Sequence, residues 1–529
     1  MAVPENLSSK SLRNLVWALM LCAAGVSGVL ALAWVGFIGS DDMEYYLAGR
    51  ALSSSFWNAP EGFGGMRSAV SMPIALSLKA FGDHEWALIL PSSLYALATA
   101  AVSLIALARF IPLSAALIVT LLFMTLPVVA ITSTMASADV AELFWSVCAF
   151  WLAIEATRNE ERQQAGLMIV SGACIALAFA ARETSAALII WLGVGFLFGF
   201  GLPRLKYLWS AVGFLGVMAA ECAYFAISVG DPLVRFRALV ETRAVASRLV
   251  VPPFTFDDTG NLRIHALIDP LVMLLTKHSF GGLYWILLAL ALFAWFWRKD
   301  PNDRPAALPA ASAVVLPALA LGLIWTVFAA LVLIKLRIHA RYYLAPTYFL
   351  MVAASLWLAG RFGSARGRRL AGSLIVVLAL GNMLGIWLDN RNPRFAERAL
   401  AEMAMRYDQP IHTDAATAYI AATFLHWNGG RPEQIVSTPP GSGDLSFRVL
   451  SGIGSANRQR TGSLAGEQRG EVLESRGSPP LLTGELATRI KASPFVPGAI
   501  SNKLTASRSS AQLIRVVSGD GTSAESIQH

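Results

Sequence analysis

Eleven apolar stretches run through the chain, at 14–38, 85–108, 112–130, 138–156, 165–181, 184–201, 207–229, 279–297, 311–334, 342–360 and 370–388. Each approaches the ~20 residues that a helix needs to cross a bilayer. The pattern predicts an all-α polytopic membrane protein of about 11 transmembrane helices. The first stretch is longer than a signal-peptide core and has no small-residue cleavage site, so it reads as an anchor. Two polar intervals, 39–84 and 230–278, are too long for plain connectors and point to function. In the first, Val70, Ile74, Leu78 and Phe81 recur at helical spacing behind Pro73. This predicts a short amphipathic helix that either lies on the membrane face or packs on the bundle. The Gly-rich EGFGG at 61–65 lacks the lysine of a phosphate loop and reads as a hinge.

From about residue 390 the spanning runs stop and Ser, Gly, Pro and Arg become common. The stretch IHTDAATAYIAATFLHW at 411–427 predicts a strand, a turn at Asp414 and a helix, an α/β pattern. Residues 437–482, with TPPGSG and SRGSPP, read as loop or disorder. The expected organisation is a membrane domain over 1–389 and a small C-terminal non-cytoplasmic domain or tail over 390–529.

Composition narrows the class. The chain is 55% hydrophobic and 14% charged, with mean hydropathy +0.56, against about 45–50% and about 25% in soluble proteins. A soluble enzyme is excluded. The net charge of +8 sits in short loops between apolar runs, where the membrane surface explains it and nucleic acid does not. Cys22, Cys148, Cys174 and Cys222 lie singly in apolar runs and form neither a disulfide framework nor a CxxC site. Counting Lys and Arg alone does not orient the chain. The dense short-loop cations at Arg109, Arg158, Arg162, Arg204, Lys206, Arg298 and Arg361–Arg369 do, placing the N-terminus in the cytoplasm and the C-terminus outside.

Charged groups are costly at bilayer depth, so those at helix ends are where chemistry is sought. Asp41, Asp42 and Glu44, with Tyr45 and Tyr46, follow directly on the first apolar run. Such carboxylates could accept a proton, hold a divalent metal or cap a helix. Asp139 opens the fourth run, with Glu142 one turn deeper, and an N-cap is again the plainer role. Arg182–Glu183 joins the fifth and sixth runs across a tight turn. Lys335, Arg337, His339 and Arg341, with Tyr342 and Tyr343, form a basic aromatic cluster before the tenth. Glu221, inside the seventh run, reads as a neutral hydrogen-bonded acid in preference to the partner of a buried cation. The seven histidines form no HExxH or paired spacing, which argues against a histidine metal centre.

Four landmarks, SDDMEYY (40–46), MRSAVSMPIALSLKAFG (66–82), SADVAELF (137–144) and ARETSA (181–186) with RYYLAP (341–346), resemble those of the GT-C superfamily of membrane glycosyltransferases. Within it the likeness is to bacterial proteins similar to dolichyl-phosphate-mannose protein mannosyltransferases and aminoarabinose transferases, over about 14–390. Asp42 stands where the family usually has Glu, and Arg67 and Pro73 occupy a region where many relatives have a Pro-Pro pair. The resemblance implies a polyprenyl-phosphate-sugar donor and a lipid, glycan or protein acceptor. It implies transfer with inversion on the periplasmic face of a bacterial inner membrane. It also implies Asp41 as general base, and like-charge repulsion from the neighbouring carboxylates could raise the proton affinity of Asp41. Asp42, Asp139 or Tyr45 would position the acceptor or a divalent ion, and Arg182, Arg341, Arg67 and Lys335 would hold the donor phosphate. A flippase of lipid-linked sugar, or a non-catalytic assembly protein of the same fold, remains the alternative.

Overall fold

The computed structural model describes residues 9–58, 60, 62–247, 255–256, 262–263, 265–297, 309–332, 339–359, 365–389, 394–451, 470–478, 488 and 510–516. The chain divides into two units, Met1–Asn390 and Arg391–His529. In the first the order is α1 (Ser9–Leu32), α2 (Asp41–Ser54), α3 (Gly62–Gly65), α4 (Ser68–Phe81), α5 (Glu85–Leu107), α6 (Leu113–Met124), α7 (Pro127–Thr132), α8 (Ala138–Ala156) and α9 (Glu161–Ala181). It continues with α10 (Ala186–Phe198), α11 (Arg204–Ser228), α12 (Val234–Ser247), the antiparallel pair β1 (Thr255–Phe256) and β2 (Leu262–Arg263), and α13 (His265–Thr276). Then come α14 (Leu283–Trp297), α15 (Pro309–Val332), α16 (Leu344–Ala359) and α17 (Ala365–Asp389).

Among the described residues, seven helices are long and apolar enough to cross a membrane by length and composition: those at α1, α5, α9, α11, α15, α16 and α17. The other four apolar stretches depart from plain spans. Pro127 breaks 112–130 into α6 and α7, α10 and α14 are shorter, and α8 carries Asp139, Glu142 and Glu155. Large apolar side chains such as Leu205, Ile227 and Leu380 stand exposed on these helices, the surface of a multi-pass membrane protein, where lipid covers them.

Small and polar residues hold the bundle together where lipid offers no hydrophobic drive. A Cβ on Gly172 of α9 would collide with the Ser210 carbonyl of α11, and one on Gly213 with the Ile169 carbonyl, so glycine sets how closely these backbones approach. Buried Tyr348 of α16 shares a hydrogen bond with Ser103 at 2.9 Å and accepts one from the Trp151 indole at 2.8 Å. Where Pro127 interrupts the helix, Asn382 donates to the Leu122 carbonyl at 3.0 Å, a freed backbone group.

In the first polar interval, α4 buries Val70, Ile74 and Leu78 while Phe81 is exposed. Its Ile74 packs so tightly on Gly49 of α2 that a Cβ there would lie 2.4 Å away. Of the two readings of this helix, packing on the bundle describes the contact. The EGFGG segment is an anchored turn in place of the expected hinge: Gly62 has φ +75° and the Gly64 N–H donates to Glu44 at 2.7 Å.

The second unit holds α18 (Phe395–Ala404), β3 (Ile411–His412), α19 (Ala415–Trp427), β4 (Ile435–Val436), β5 (Leu445–Ser451), β6 (Gly470–Gly477) and β7 (Ser510–Val516). The sheet order is β4-β3-β5-β7-β6, with β3 parallel to β4 and β5 and the other pairs antiparallel. Asp414 caps α19 by accepting the Thr417 N–H at 3.0 Å. The expectation of loop or disorder over 437–482 is corrected, because β5 and β6 lie inside it. In β5, Leu445 and Phe447 alternate into the core, and Leu513 of the neighbouring β7 is buried too.

Candidate active site

One end of the bundle gathers the ends of α1, α9 and α11 with the starts of α2, α4, α8 and α16. Ser40 precedes α2 without capping it through its side chain. Asp41 is the first helical residue and its side chain is about half exposed, at 52%. Arg341 reaches it from 300 residues away, donating from Nη2 to Oδ2 at 2.7 Å. Arg341 also lies 3.7 Å from Asp139, which pairs with Arg182. The Arg182 guanidinium sits 4.1 Å over the Tyr342 ring. Asp139 does not cap α8: Ser137 does, accepting the Asp139 N–H at 3.1 Å. That frees the Asp139 carboxylate for the two arginines. The chain Asp41–Arg341–Asp139–Arg182 thus joins four expected site residues.

A second chain runs beside it. Arg67 donates to the Tyr45 hydroxyl at 2.7 Å and lies 3.6 Å from Glu183. Glu183 accepts from Arg235 at 2.9 Å. Arg235 makes two further bonds of 2.9 Å to Glu221 and one of 2.6 Å to the Phe179 carbonyl. Glu142, one turn into α8, is held by the Thr184 hydroxyl. Burial raises the Tyr45 phenol despite the adjacent Arg67. Burial also pushes Arg182 down to about 10, with Arg67 and Arg341 adding to the effect against the opposing Tyr342. The guanidinium nonetheless stays charged at neutral pH.

Several expectations change. Asp42 is buried and both its oxygens accept backbone N–H groups, from Ile38 and Ser40 at 2.6 Å each. This gives it the turn before α2 to hold, and no open position toward an acceptor or ion. Glu44 is committed to Gly64, so the charge facing Asp41 is the positive Arg341 in place of repelling carboxylates. Glu221 pairs with Arg235 and is no lone neutral acid. Lys335 lies outside the described residues. Among those described, no three or more His, Cys, Asp or Glu side chains are arranged so that they could hold a metal ion. Asp41 and Asp139 each face a guanidinium, a donor set that does not fit a divalent cation. Sequence reasoning missed Arg235 as a site residue, since nothing local ties it to Glu183 52 positions away. Its one signal was a cation opening the second long polar interval.

The sequence matches the dolichyl-phosphate-mannose-protein mannosyltransferase family model over residues 69–227, about a third of the chain. The structure is similar to that of ArnT from Cupriavidus metallidurans bound to undecaprenyl phosphate, with TM-score 0.53 at 13% identity, covering 93% of this chain and 97% of that one. The two share a fold. A looser likeness is to the Archaeoglobus fulgidus oligosaccharyltransferase in complex with Zn and sulfate, with TM-score 0.46, 14% identity and coverage of 77% of this chain and 61% of that one. Among curated protein sequences no match is found. Asp139, Arg182, Glu183 and Glu221 fall within the segment matched by the family model, whereas Asp41, Arg67, Arg235 and Arg341 lie outside it.

Proposed function

We propose that the chain transfers a sugar from a polyprenyl-phosphate donor to a hydroxyl of a lipid, glycan or protein acceptor, at the end of the bundle that carries Asp41. The observation that carries this reading is a half-exposed carboxylate, Asp41, bonded at 2.7 Å to an arginine that belongs to a largely buried basic cluster. The acceptor oxygen attacks the anomeric carbon, the bond from that carbon to the donor phosphate oxygen breaks, and configuration inverts. Asp41 takes the acceptor proton. The leaving lipid phosphate keeps the electron pair and gains charge in the transition state, where fixed cations in a dry site stabilise it most. Arg182, Arg341 and Arg67 supply those cations. They are close enough to oppose one another's charge at Arg182, so an anion among them relieves a repulsion already present. Arginine suits the task because its planar fork donates two hydrogen bonds to phosphate. The donor's isoprenoid tail stays in lipid, which explains a site at a bilayer surface. The solved ArnT of similar fold holds undecaprenyl phosphate, the same class of lipid phosphate.

This reading places the Asp41 end on the periplasmic face of a bacterial inner membrane, N-terminus inside and C-terminus outside. Cysteines placed at Ser54, Ser247 and Ser523 should react with an impermeant thiol reagent in intact spheroplasts; labelling only after lysis would reverse the orientation. The activity itself is tested with purified protein in vesicles, a radiolabelled polyprenyl-phosphate sugar and acceptor. Label should move to the acceptor. Label that crosses the bilayer while still on its lipid would instead establish a flippase.

A further inference from the structure

The opposite end of the bundle holds a cavity of about 430 Å³ between α8, α10, α11 and α15. Its walls are apolar, with Ile154, Trp191, Leu316 and Pro317, and its polar lining includes Tyr207 and Arg158. From Asp139 to Arg158 the chain climbs about 28 Å at 1.5 Å per helical residue, close to the ~30 Å thickness of a bilayer's hydrocarbon core. The cavity therefore faces the leaflet away from Asp41 and takes no part in the chemistry proposed there.

Arg158 is what gives this cavity a ligand. Its guanidinium lies 4.7 Å from the centre of the Phe110 ring. It forms no ion pair or side-chain hydrogen bond among the described residues. The nearby Glu155 carboxylate is already taken by Arg109 at 2.6 Å. Thr157 spends its hydroxyl on the Ile154 carbonyl and Tyr207 on the Phe200 carbonyl. Among the described residues, the site thus offers one fork-shaped cation with no carboxylate hydrogen-bonded to it, at the rim of an apolar chamber and at membrane-surface depth. An acyl chain fits the chamber and a phosphodiester fits the cation. A free anion would gain nothing from the apolar walls, and in a zwitterionic lipid the headgroup's own cation offsets the phosphate charge that Arg158 would meet.

We infer that this cavity binds an anionic phospholipid, with a chain between α10 and α15 and its phosphate on Arg158. The test uses the full chain reconstituted in vesicles of equal phosphatidylglycerol and phosphatidylcholine, extracted gently and weighed by native mass spectrometry. The wild-type protein should retain phosphatidylglycerol over phosphatidylcholine by about fivefold, the factor that ~1 kcal/mol per surface cation corresponds to. Arg158→Ala should abolish the preference, while Arg13→Ala, an exposed cation at the same end on α1, should keep it. Leu316→Trp, which fills the chamber, should lose the retained lipid altogether. Equal retention of both lipids by the wild type, or an unchanged preference in Arg158→Ala, would overturn the assignment. Neither result would touch the transfer reading, because the cavity lies a membrane's width from Asp41.

Discussion

Two arginine–carboxylate networks, one in each unit, use the same residue types to different ends. At the Asp41 end of the bundle, Arg235 is 2% exposed and bridges Glu183 and Glu221, themselves nearly buried. In the second unit, Arg406, Glu474, Arg476 and Glu402 form a comparable chain at 2.5–2.9 Å, but on a surface where Arg406 and Glu402 are about half exposed. Water already solvates the second set, so its pairing adds little. The first set has given up its hydration, and removing one partner strands a charge. Burial, not the number of ion pairs, separates a device that fixes geometry from one that decorates a surface.

The sharpest way to break this contrast is Arg235→Met, which leaves Glu183 and Glu221 without their cation. The expected cost is about 3–5 kcal/mol, the range for breaking a buried pair, read as a lower melting temperature in detergent and less protein in the membrane. Arg235→Lys should recover part of it, since one ammonium cannot reproduce the two-pronged bond to Glu221. An intermediate effect is expected at Arg341→Lys, which preserves charge but not the fork. Donor KM should rise about tenfold, roughly the 1.4 kcal/mol by which a charged hydrogen bond exceeds none, while the melting temperature stays put. Unchanged donor dependence would move the phosphate site elsewhere.

The smallest effect belongs to the second unit. Glu474→Gln should cost under about 1 kcal/mol, read by hydrogen exchange of β6 and β7 in the full chain. Burial alone would raise the Glu474 carboxyl, but hydrogen bonds from Arg406 and Arg476 outweigh it and hold it below the ordinary range. A depressed carboxyl stabilises above its unfolded value of about 4.3 and loses that contribution as pH falls through the folded value. Protection of β6 and β7 should therefore drop below about pH 4 in the wild type and less so in Glu474→Gln.

How much of this was legible in the sequence depended on whether a feature is local. Apolar runs are local, so the membrane bundle could be read, although charges inside α8 and the break at Pro127 depend on neighbours that the run does not show. The strand, cap and helix of 411–427 are local as well. The pairing of Asp41 with Arg341 across 300 residues is not, nor is the bond from Arg235 to Glu183. Asp42 misled because three adjacent acids look alike in sequence, and only the path of the backbone at Ile38 and Ser40 tells them apart. In the second unit, the alternation of Leu445, Phe447 and Val449 was a strand signal hidden among Ser, Gly and Pro. Pairing with β7, far along the chain, makes it a strand.

Asp41 and Asp42 are adjacent, chemically identical and oppositely disposed, so the central claim is tested by comparing them. Sugar transfer by Asp41→Asn and Asp42→Asn should be measured at matched membrane expression, with donor binding followed separately. Asn keeps the shape of Asp but cannot take the acceptor proton. Asp41→Asn should therefore fold, bind donor and lose turnover by roughly 100-fold or more, the usual scale of general-base catalysis. Asp42→Asn, whose oxygens face backbone N–H groups, should lose stability first and turnover only in proportion to folded protein. Near-normal turnover in Asp41→Asn would contradict the account.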